Sequence, residues 1–394
     1  MPFPDALREA TRIAALSPSS HNCQPWALAH LAGPQARRAA ARVLREESAA
    51  GEQRYLALAL DRDRQLSALP AHRLEMLLSC GLYGQLLVRA LAAQGWILAQ
   101  DTFLPPHEPG GDAHDASPLH PDWPRHWTAL SVLKFVPDSL PGAPGRGNTS
   151  ESVAELRATA QARRTNRAPY RREPLERTVL AALAGTGTGT GTALSTGAGV
   201  HVRHLSSPWE RKRFAGLIRR HGGRDFSDLD AWRETHSYIR SAQQSAELGD
   251  GFTFAQLFGP LPPPRRRLMQ FALAPGTMRT LRHLGYPRLL AGQLAAIAEA
   301  TPTISVLTLP SDRPTAAQVL RAGAYLTDYW LSATRADLVL HPLSILIQHD
   351  DAREGLEAAF ALPGRAFFAA RLGRPTADFP RTARRESSAG HREL

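Results

Sequence analysis

The stretch Ser17-Pro18-Ser19-Ser20-His21-Asn22-Cys23-Gln24-Pro25-Trp26 decides how this chain is read. Between Pro18 and Pro25 stand six side chains able to hydrogen-bond, and Trp26 closes the segment. A loop so dense in donors and acceptors is costly unless something satisfies them, so it reads as a binding loop. Asn22 can donate to and accept from the imide edge of a planar heterocycle, while Ser19 and Ser20 can offer hydroxyls and backbone amides. A helix C-terminus running into a serine-rich turn is the alternative.

Working outward, Ala6, Ala10, Ile13 and Ala14 recur at helical spacing over residues 6–16, and Ser17-Pro18 stops that period. Downstream, the pattern predicts a strand at 26–29, an Arg/Ala-rich helix at 34–50 and a buried strand at 55–60 ending in Asp61-Arg62-Asp63-Arg64. A long apolar helix follows at 72–94, stopped by Gly95. Strands at 96–99 and 128–136 flank a loop at 104–126 rich in Pro, Gly and His. Residues 137–150 have linker composition, so the expected division is a first domain at 1–136, a linker at 137–150 and a second domain at 151–394.

The second half carries helices at 151–164 and 175–184, then a Gly-Thr alternation at 185–192 that reads as a flexible connector. A strand at 200–205 precedes a long insertion at 222–288, read as a lid or helical excursion over a site. Next come a strand at 303–309, a long apolar helix at 316–335, a strand-turn segment at 336–347, a strand at 367–372 and a basic, polar tail from Arg374. Both halves thus run helix, strand, long apolar helix, strand. That order predicts an α+β fold built from a duplicated unit, each half a mixed sheet with long buried helices, rather than a βαβ ladder.

Composition narrows the function. At 394 residues the chain has room for two or three domains of ~100 to 200 residues. With 43% apolar and 21% charged residues, wholesale disorder and fibrous repeats are excluded. No unbroken apolar run reaches the ~20 residues of a bilayer span. Asp5, Arg8, Glu9 and Arg12 break the order of a secretory signal, so a cytoplasmic location is expected and no membrane partner. Cys23 and Cys80 offer no CxxC spacing and read as reduced thiols. The net charge of +11 (47 minus 36) comes almost wholly from arginine, since Lys134 and Lys212 are the only lysines. These arginines are spread along the chain without aromatic platforms between them, so no nucleic-acid partner is expected. His201 with His204, and His107, His114 and His120, lack carboxylate or Cys partners at ligand spacing, and no metal is assigned.

Two further clusters bear on chemistry. Arg163-Arg164-Thr165-Asn166-Arg167 sets two arginines four apart with a hydroxyl between them. Such an array suits a phosphate dianion, each charge-assisted bond contributing ~1.5 to 3 kcal/mol, although a solvated basic face has the same composition. The other cluster runs from Arg371-Leu372-Gly373-Arg374-Pro375 through Pro380-Arg381-Thr382-Ala383-Arg384-Arg385. By itself a basic tail is solvated surface.

Together these segments carry a resemblance. SPSSHNCQPW resembles the (A/S)PSxxNxQPW loop of the nitroreductase superfamily, the arginine cluster its R-x-S-x-R/K phosphate motif, and the tail its R-x-G-x-P…PRR ending. Leu60-Asp61-Arg62-Asp63-Arg64-Gln65-Leu66, Leu78-Ser79-Cys80-Gly81 and Ala322-Gly323-Ala324-Tyr325-Leu326, with Pro342-Leu343-Ser344 beyond, are similar to the fused, two-domain Acg-like subgroup. The resemblance implies a tandem nitroreductase-like fold, a pseudo-dimer within one chain, binding one FMN. Ser19, Ser20, Asn22, Gln24 and Pro25 would then lie along the flavin ring. Arg163, Arg164, Thr165 and Arg167 would hold its phosphate, with Arg384 and Arg385 closing over it. Ser20 and Asn22, with amides near Pro342, Leu343 and Ser344, would stabilise charge on the reduced ring, as preorganised donors do.

The activity so implied is hydride transfer from NAD(P)H through FMN to a planar, electrophilic small molecule, or the reverse dehydrogenation in biosynthesis. FMN carries that chemistry, so no catalytic acid/base side chain is called for. The rival is a protein that holds FMN under its lid without turnover. Either works as a monomer or a homodimer.

Overall fold

The structure is a computed structural model and describes residues 1–48, 51–104, 119–140, 151–185 and 194–394. In the first half the elements are α1 (Phe3–Ala14), β1 (Trp26–His30), α2 (Pro34–Val43), β2 (Arg54–Asp61), α3 (His72–Ala92), β3 (Trp96–Phe103) and β4 (Trp127–Pro137). Then come α4 (Val153–Ala162), α5 (Arg177–Ala184), β5 (His201–Leu205) and α6 (Pro208–His221). The insertion folds as α7 (Gly223–Ser227), α8 (Leu229–Ser237), α9 (Ala242–Leu248), α10 (Phe254–Phe258), α11 (Pro263–Ala272) and α12 (Pro275–Leu281), and leads into α13 (Tyr286–Glu299). The chain finishes with β6 (Thr303–Leu309), α14 (Ala316–Arg335), β7 (Val339–Pro342), α15 (Asp350–Phe360), β8 (Arg365–Gly373) and β9 (His391–Glu393).

Two sheets result, ordered β3-β4-β2-β1-β9 and β5-β6-β8-β7. Apart from β9 they share one strand order, and each places its long helix, α3 or α14, between its second and third strands in sequence. The second sheet is antiparallel throughout. The first is antiparallel except where β9 runs parallel to β1, so only this sheet is mixed, contrary to the expectation for both halves.

Strand periodicity explains how each sheet is covered. In β2, Leu56, Leu58 and Leu60 join the cluster that contains α1 and α3, while Tyr55, Ala57 and Ala59 join the one formed by α2, Trp123 and Trp127. Successive side chains point to opposite faces, so a run apolar at every position is a strand buried on both sides. In β6, likewise, Ile304 and Val306 pack with α6 and α13, and Leu307 and Leu309 with α14.

The two halves meet where α3 crosses α14. A Cβ on Gly81 would lie 2.1 Å from the Leu320 carbonyl oxygen, and one on Gly323 would lie 2.3 Å from the Leu78 carbonyl oxygen. Glycine at both points lets the backbones touch directly. By composition α3 is long and apolar enough to span a bilayer, yet Met76, Cys80, Leu87 and Leu91 are fully buried in the core.

Several elements depart from the sequence expectation. The Arg/Ala-rich helix stops at Val43, well short of 50, and β3 continues to Phe103. The periodicity reading marked none of α6, α13 or α15. The sequence marks no strand in the basic tail, whereas β9 pairs Leu28, Ala29 and His30 with His391, Arg392 and Glu393. A three-residue strand has no local pattern of its own and exists only through its partner. The linker core at 141–150, most of the Gly-Thr run, and His107 and His114 lie outside the described residues.

The helix crossing yields a test with an internal control. Gly81→Ala should destabilise the protein by ~1 to 3 kcal/mol through overpacking. Gly216→Ala, on α6 with nothing within 4 Å of the added carbon, should stabilise it by ~0.5 to 1 kcal/mol. Denaturant midpoints of both variants should therefore move in opposite directions; a parallel shift would mean that the crossing tolerates a methyl group.

Candidate functional site

The binding loop is held in an unusual backbone conformation. His21, Asn22 and Gln24 have φ of 49°, 55° and 53°, a left-handed region that costs a residue with a Cβ roughly 1 to 2 kcal/mol. Contacts from far along the chain hold it there. The Asn22 Nδ2 donates to the Gly251 and Ala383 carbonyls (3.0 and 3.1 Å), and the Gln24 Nε2 donates to the Gly249 carbonyl (2.8 Å). The Arg384 Nη1 donates to Asn22 Oδ1 at 2.9 Å, and the Arg385 amide to Gln24 Oε1 at 3.1 Å. Insertion and tail therefore close over the loop from two sides.

A cavity of about 130 Å³ remains between them. The loop contributes Pro18, Ser19, His21 and Asn22; the arginine cluster contributes Arg163, Arg164, Thr165 and Arg167; the insertion contributes Phe252 and Gln256; the tail contributes Arg381 and Arg384. Asn22 and Arg167, far apart in sequence, thus line one cleft. Its volume is below the ~300 to 1,000 Å³ of ordinary ligand pockets, so a mononucleotide needs the insertion or tail to move outward.

Charge in this cavity is one-sided. Arg163 is buried, with its guanidinium 5.1 Å from the centre of the Trp330 ring and Nη2 donating to the Leu16 carbonyl at 3.0 Å. Burial, reinforced by Arg384 and Arg381, holds its pKa well below the usual arginine value. Burial likewise pushes Arg167 and Arg384 down to about 10. Among the described residues none of these three forms an ion pair, and the Nε atoms of Arg163 and Arg384 have no hydrogen-bond partner. Buried like charges without a counter-ion destabilise a fold, and an anion placed among them removes that penalty.

Other expected residues are engaged by partners of their own. Arg164 borders the cavity but pairs with Asp378 at 2.5 Å. The Ser20 hydroxyl donates to Glu75 Oε2 at 2.5 Å. The Pro25 carbonyl accepts from the Asp61 amide at 2.7 Å, and the Arg385 guanidinium donates to the Gln24 carbonyl at 3.3 Å. Pro342 ends β7, and Leu343 and Ser344 follow it; the Leu343 amide donates to the Ala369 carbonyl at 2.7 Å, extending the β7–β8 pairing, and is not free to face a ring. Arg371 is 1% exposed and braces the core through Thr301 and the Ala168 carbonyl.

The sequence reading missed Glu75, His21, Phe252 and Gln256. Glu75 is buried on α3 and also accepts from Gln348 Nε2 at 2.7 Å; burial raises its pKa above the usual carboxyl range. A lone carboxylate on the apolar helix 72–94 was its available signal. Gln256 and Thr253 form a reciprocal N-terminal cap on α10, which the T-x-x-Q spacing announces. Burial, with His72 and Arg167 nearby, lowers the His21 pKa to about 3, so its imidazole is neutral at physiological pH. Cys23 and Cys80 are unpaired and buried, and burial drives the Cys23 thiol up to about 12, which excludes it as a thiolate nucleophile. His204 Nε2 bonds to the Tyr329 hydroxyl at 3.0 Å. Asp61, Asp63 and His126 could bring ligand atoms within 4.8 Å of one another, but Asp61 already accepts the Asp63 amide, and no cation is assigned there.

The charge imbalance makes a signed prediction. Burial and the neighbouring Arg384 and Arg381 depress the Arg163 pKa in the folded chain, so the folded state carries the penalty. Arg163→Met, which keeps the stem over Trp330, should raise the unfolding free energy in phosphate-free buffer by ~1 kcal/mol or more. The same variant should lose most of the stabilisation that added phosphate gives the parent. A drop in apo stability would show that the guanidinium is already neutralised.

The chain is similar, at 29% identity over 381 residues covering 94% of it and 89% of the relative, to a probable NAD(P)H nitroreductase, PigM, of Serratia sp.. Among solved structures it resembles a protein of Anabaena variabilis assigned to the nitroreductases (TM-score 0.45, 12% identity, 91% of this chain and 82% of that one). It also resembles the FMN-dependent nitroreductase NfnB of Mycobacterium smegmatis, solved with NADPH (TM-score 0.35, 16% identity, 57% of this chain and 92% of that one). No protein-family model matches the chain. The likeness to that NAD(P)H nitroreductase runs through nearly the whole length of this chain.

Proposed function

We propose that this protein is an FMN-dependent NAD(P)H oxidoreductase of the nitroreductase type, holding one flavin between its two halves. The observation that carries this reading is the cavity in which Arg163, Arg167 and Arg384 converge without a carboxylate while the strained loop at 17–26 forms the facing wall. Three converging guanidinium groups, some of their nitrogens without partners, fit a phosphate. Bound FMN would supply the acceptance and donation of hydride. The chain's own part is placement and shielding. Arg163, Arg167 and Thr165 would hold the phosphate, Arg384 would close over it, and Phe252 would exclude water from the insertion side. The neutral His21 would offer a hydrogen bond without adding charge. PigM is named as an NAD(P)H nitroreductase, which supports a reduced nicotinamide as donor and a small planar electrophile as acceptor. The halves, alike in strand order, would act as an internal pseudo-dimer contributing one wall each.

One observation favours a second reading, in which FMN is held without turnover. The amides of Asn22 and Gln24 are engaged by carbonyls of the insertion and tail, so the ring-facing loop is already capped from within the chain.

Anaerobic absorbance titration of the FMN-loaded protein with NADPH and with NADH separates the two. Loss of the oxidised-flavin band with either nicotinamide supports the oxidoreductase; a yellow protein that neither one bleaches supports sequestration. A protein that cannot be loaded with FMN overturns both. Arg167→Ala should weaken FMN binding roughly ten- to hundred-fold, the loss expected for one charge-assisted phosphate contact, as read by flavin fluorescence.

A further inference from the structure

From Gly251 to Ala298 the chain contains no aspartate or glutamate, yet it carries Arg265, Arg266, Arg267, Arg279, Arg282 and Arg288. The ion pairs that bracket this stretch, Arg240 with Asp250 and Arg219 with Glu299, do not enter it, and among the described residues none of the six arginines has a carboxylate partner. At its centre lies α11, a ten-residue helix in which no residue is buried. Pro264, Leu268 and Phe271 stand at i, i+4 and i+7 on one face, with Arg267 between them. Leu268 is 65% and Phe271 70% exposed. A helix this short ordinarily draws its stability from burying its apolar face. Here that face points outward. The Tyr286 hydroxyl, donating to the Ala272 carbonyl at 3.0 Å, ties the start of α13 to the end of α11, and Leu284, 78% exposed, lies just before it.

We infer that the outer face of α11 docks this protein onto an anionic lipid surface. Charge complementarity selects an anionic partner, because the stretch offers guanidinium groups and no carboxylate. The form of the surface selects lipid over protein: Leu268 and Phe271 project from a helix that stands proud of the fold, where a protein partner would have to supply a matching concavity. A membrane interface takes up protruding Leu and Phe side chains below its headgroups while arginines pair with the phosphates. None of these residues lines the cavity described above, so the docking face and the flavin site are separable.

Co-sedimentation of the full-length protein with phosphatidylcholine vesicles, with and without about one-third phosphatidylglycerol, tests the inference. Binding should be at least ten-fold stronger on the anionic vesicles and should fall in high salt. Leu268→Ser with Phe271→Ser, and separately Arg265→Gln, Arg266→Gln and Arg267→Gln together, should each reduce it at least ten-fold while leaving FMN retention and the unfolding midpoint unchanged. The proposal is overturned if the parent stays in the supernatant with anionic vesicles, or if either variant sediments like the parent. It is equally overturned if light scattering shows a parent dimer that Leu268→Ser with Phe271→Ser converts to monomer, since a second copy then covers the face.

Discussion

The close contact of α3 with α14 is the constraint on which the rest of the molecule depends. Gly81 against Leu320 and Gly323 against Leu78 bring two helix backbones to a separation that any Cβ would prevent. Both walls of the cavity stand on this crossing. Ser17, at the head of the binding loop, donates to the Leu82 carbonyl of α3 at 3.3 Å, and Thr327 of α14 donates to the same carbonyl at 3.0 Å. Arg163, on the opposite wall, rests on Trp330 of α14. A change in helix separation therefore alters the width of the cleft, since a close-packed interior transmits such shifts with little absorption.

Around that crossing the chain accepts costs that serve no stability purpose of their own. Arg163, Arg167 and Arg384 of the cavity are held below their ordinary pKa by burial, Arg163 also by its arginine neighbours, and three residues of the facing loop occupy left-handed backbone. Places where local rules are broken and the surroundings enforce the breach are where ligand sites concentrate. Enforcement here comes from both directions. Glu234 of the insertion lies 2.9 Å from His72 on α3 and accepts the Ser67 amide, fastening the insertion to the first half, while β9 fastens the tail to β1.

The insertion has an inner and an outer side with different chemistry. Inside, Phe252 and Gln256 border the cavity, and Gln256 donates to the Arg381 carbonyl of the tail. Outside, α11 carries arginine and large apolar residues to solvent. One segment thus connects a wall of the cavity to a basic surface whose arginines have no carboxylate partner among the described residues.

The sequence by itself determined the periodic elements and the loop and arginine motifs. Strand β2 was legible as an unbroken apolar run and helices α3 and α14 from an apolar period of 3.6, both written locally, whereas the long insertion was read from its length and its Pro and Arg content. The SPSSHNCQPW loop and Arg163 to Arg167 were legible because their polar groups have no local use. Only the tertiary structure decided which of those groups share a space. It turned Leu343 inward through β-pairing, set Arg164 against Asp378, engaged Ser20 with Glu75, and returned the tail as a strand beside β1. The last three depend on partners more than fifty residues away, and Leu343 on a residue of a separate strand; a pairing of that kind has no signature in the composition or spacing of either member alone.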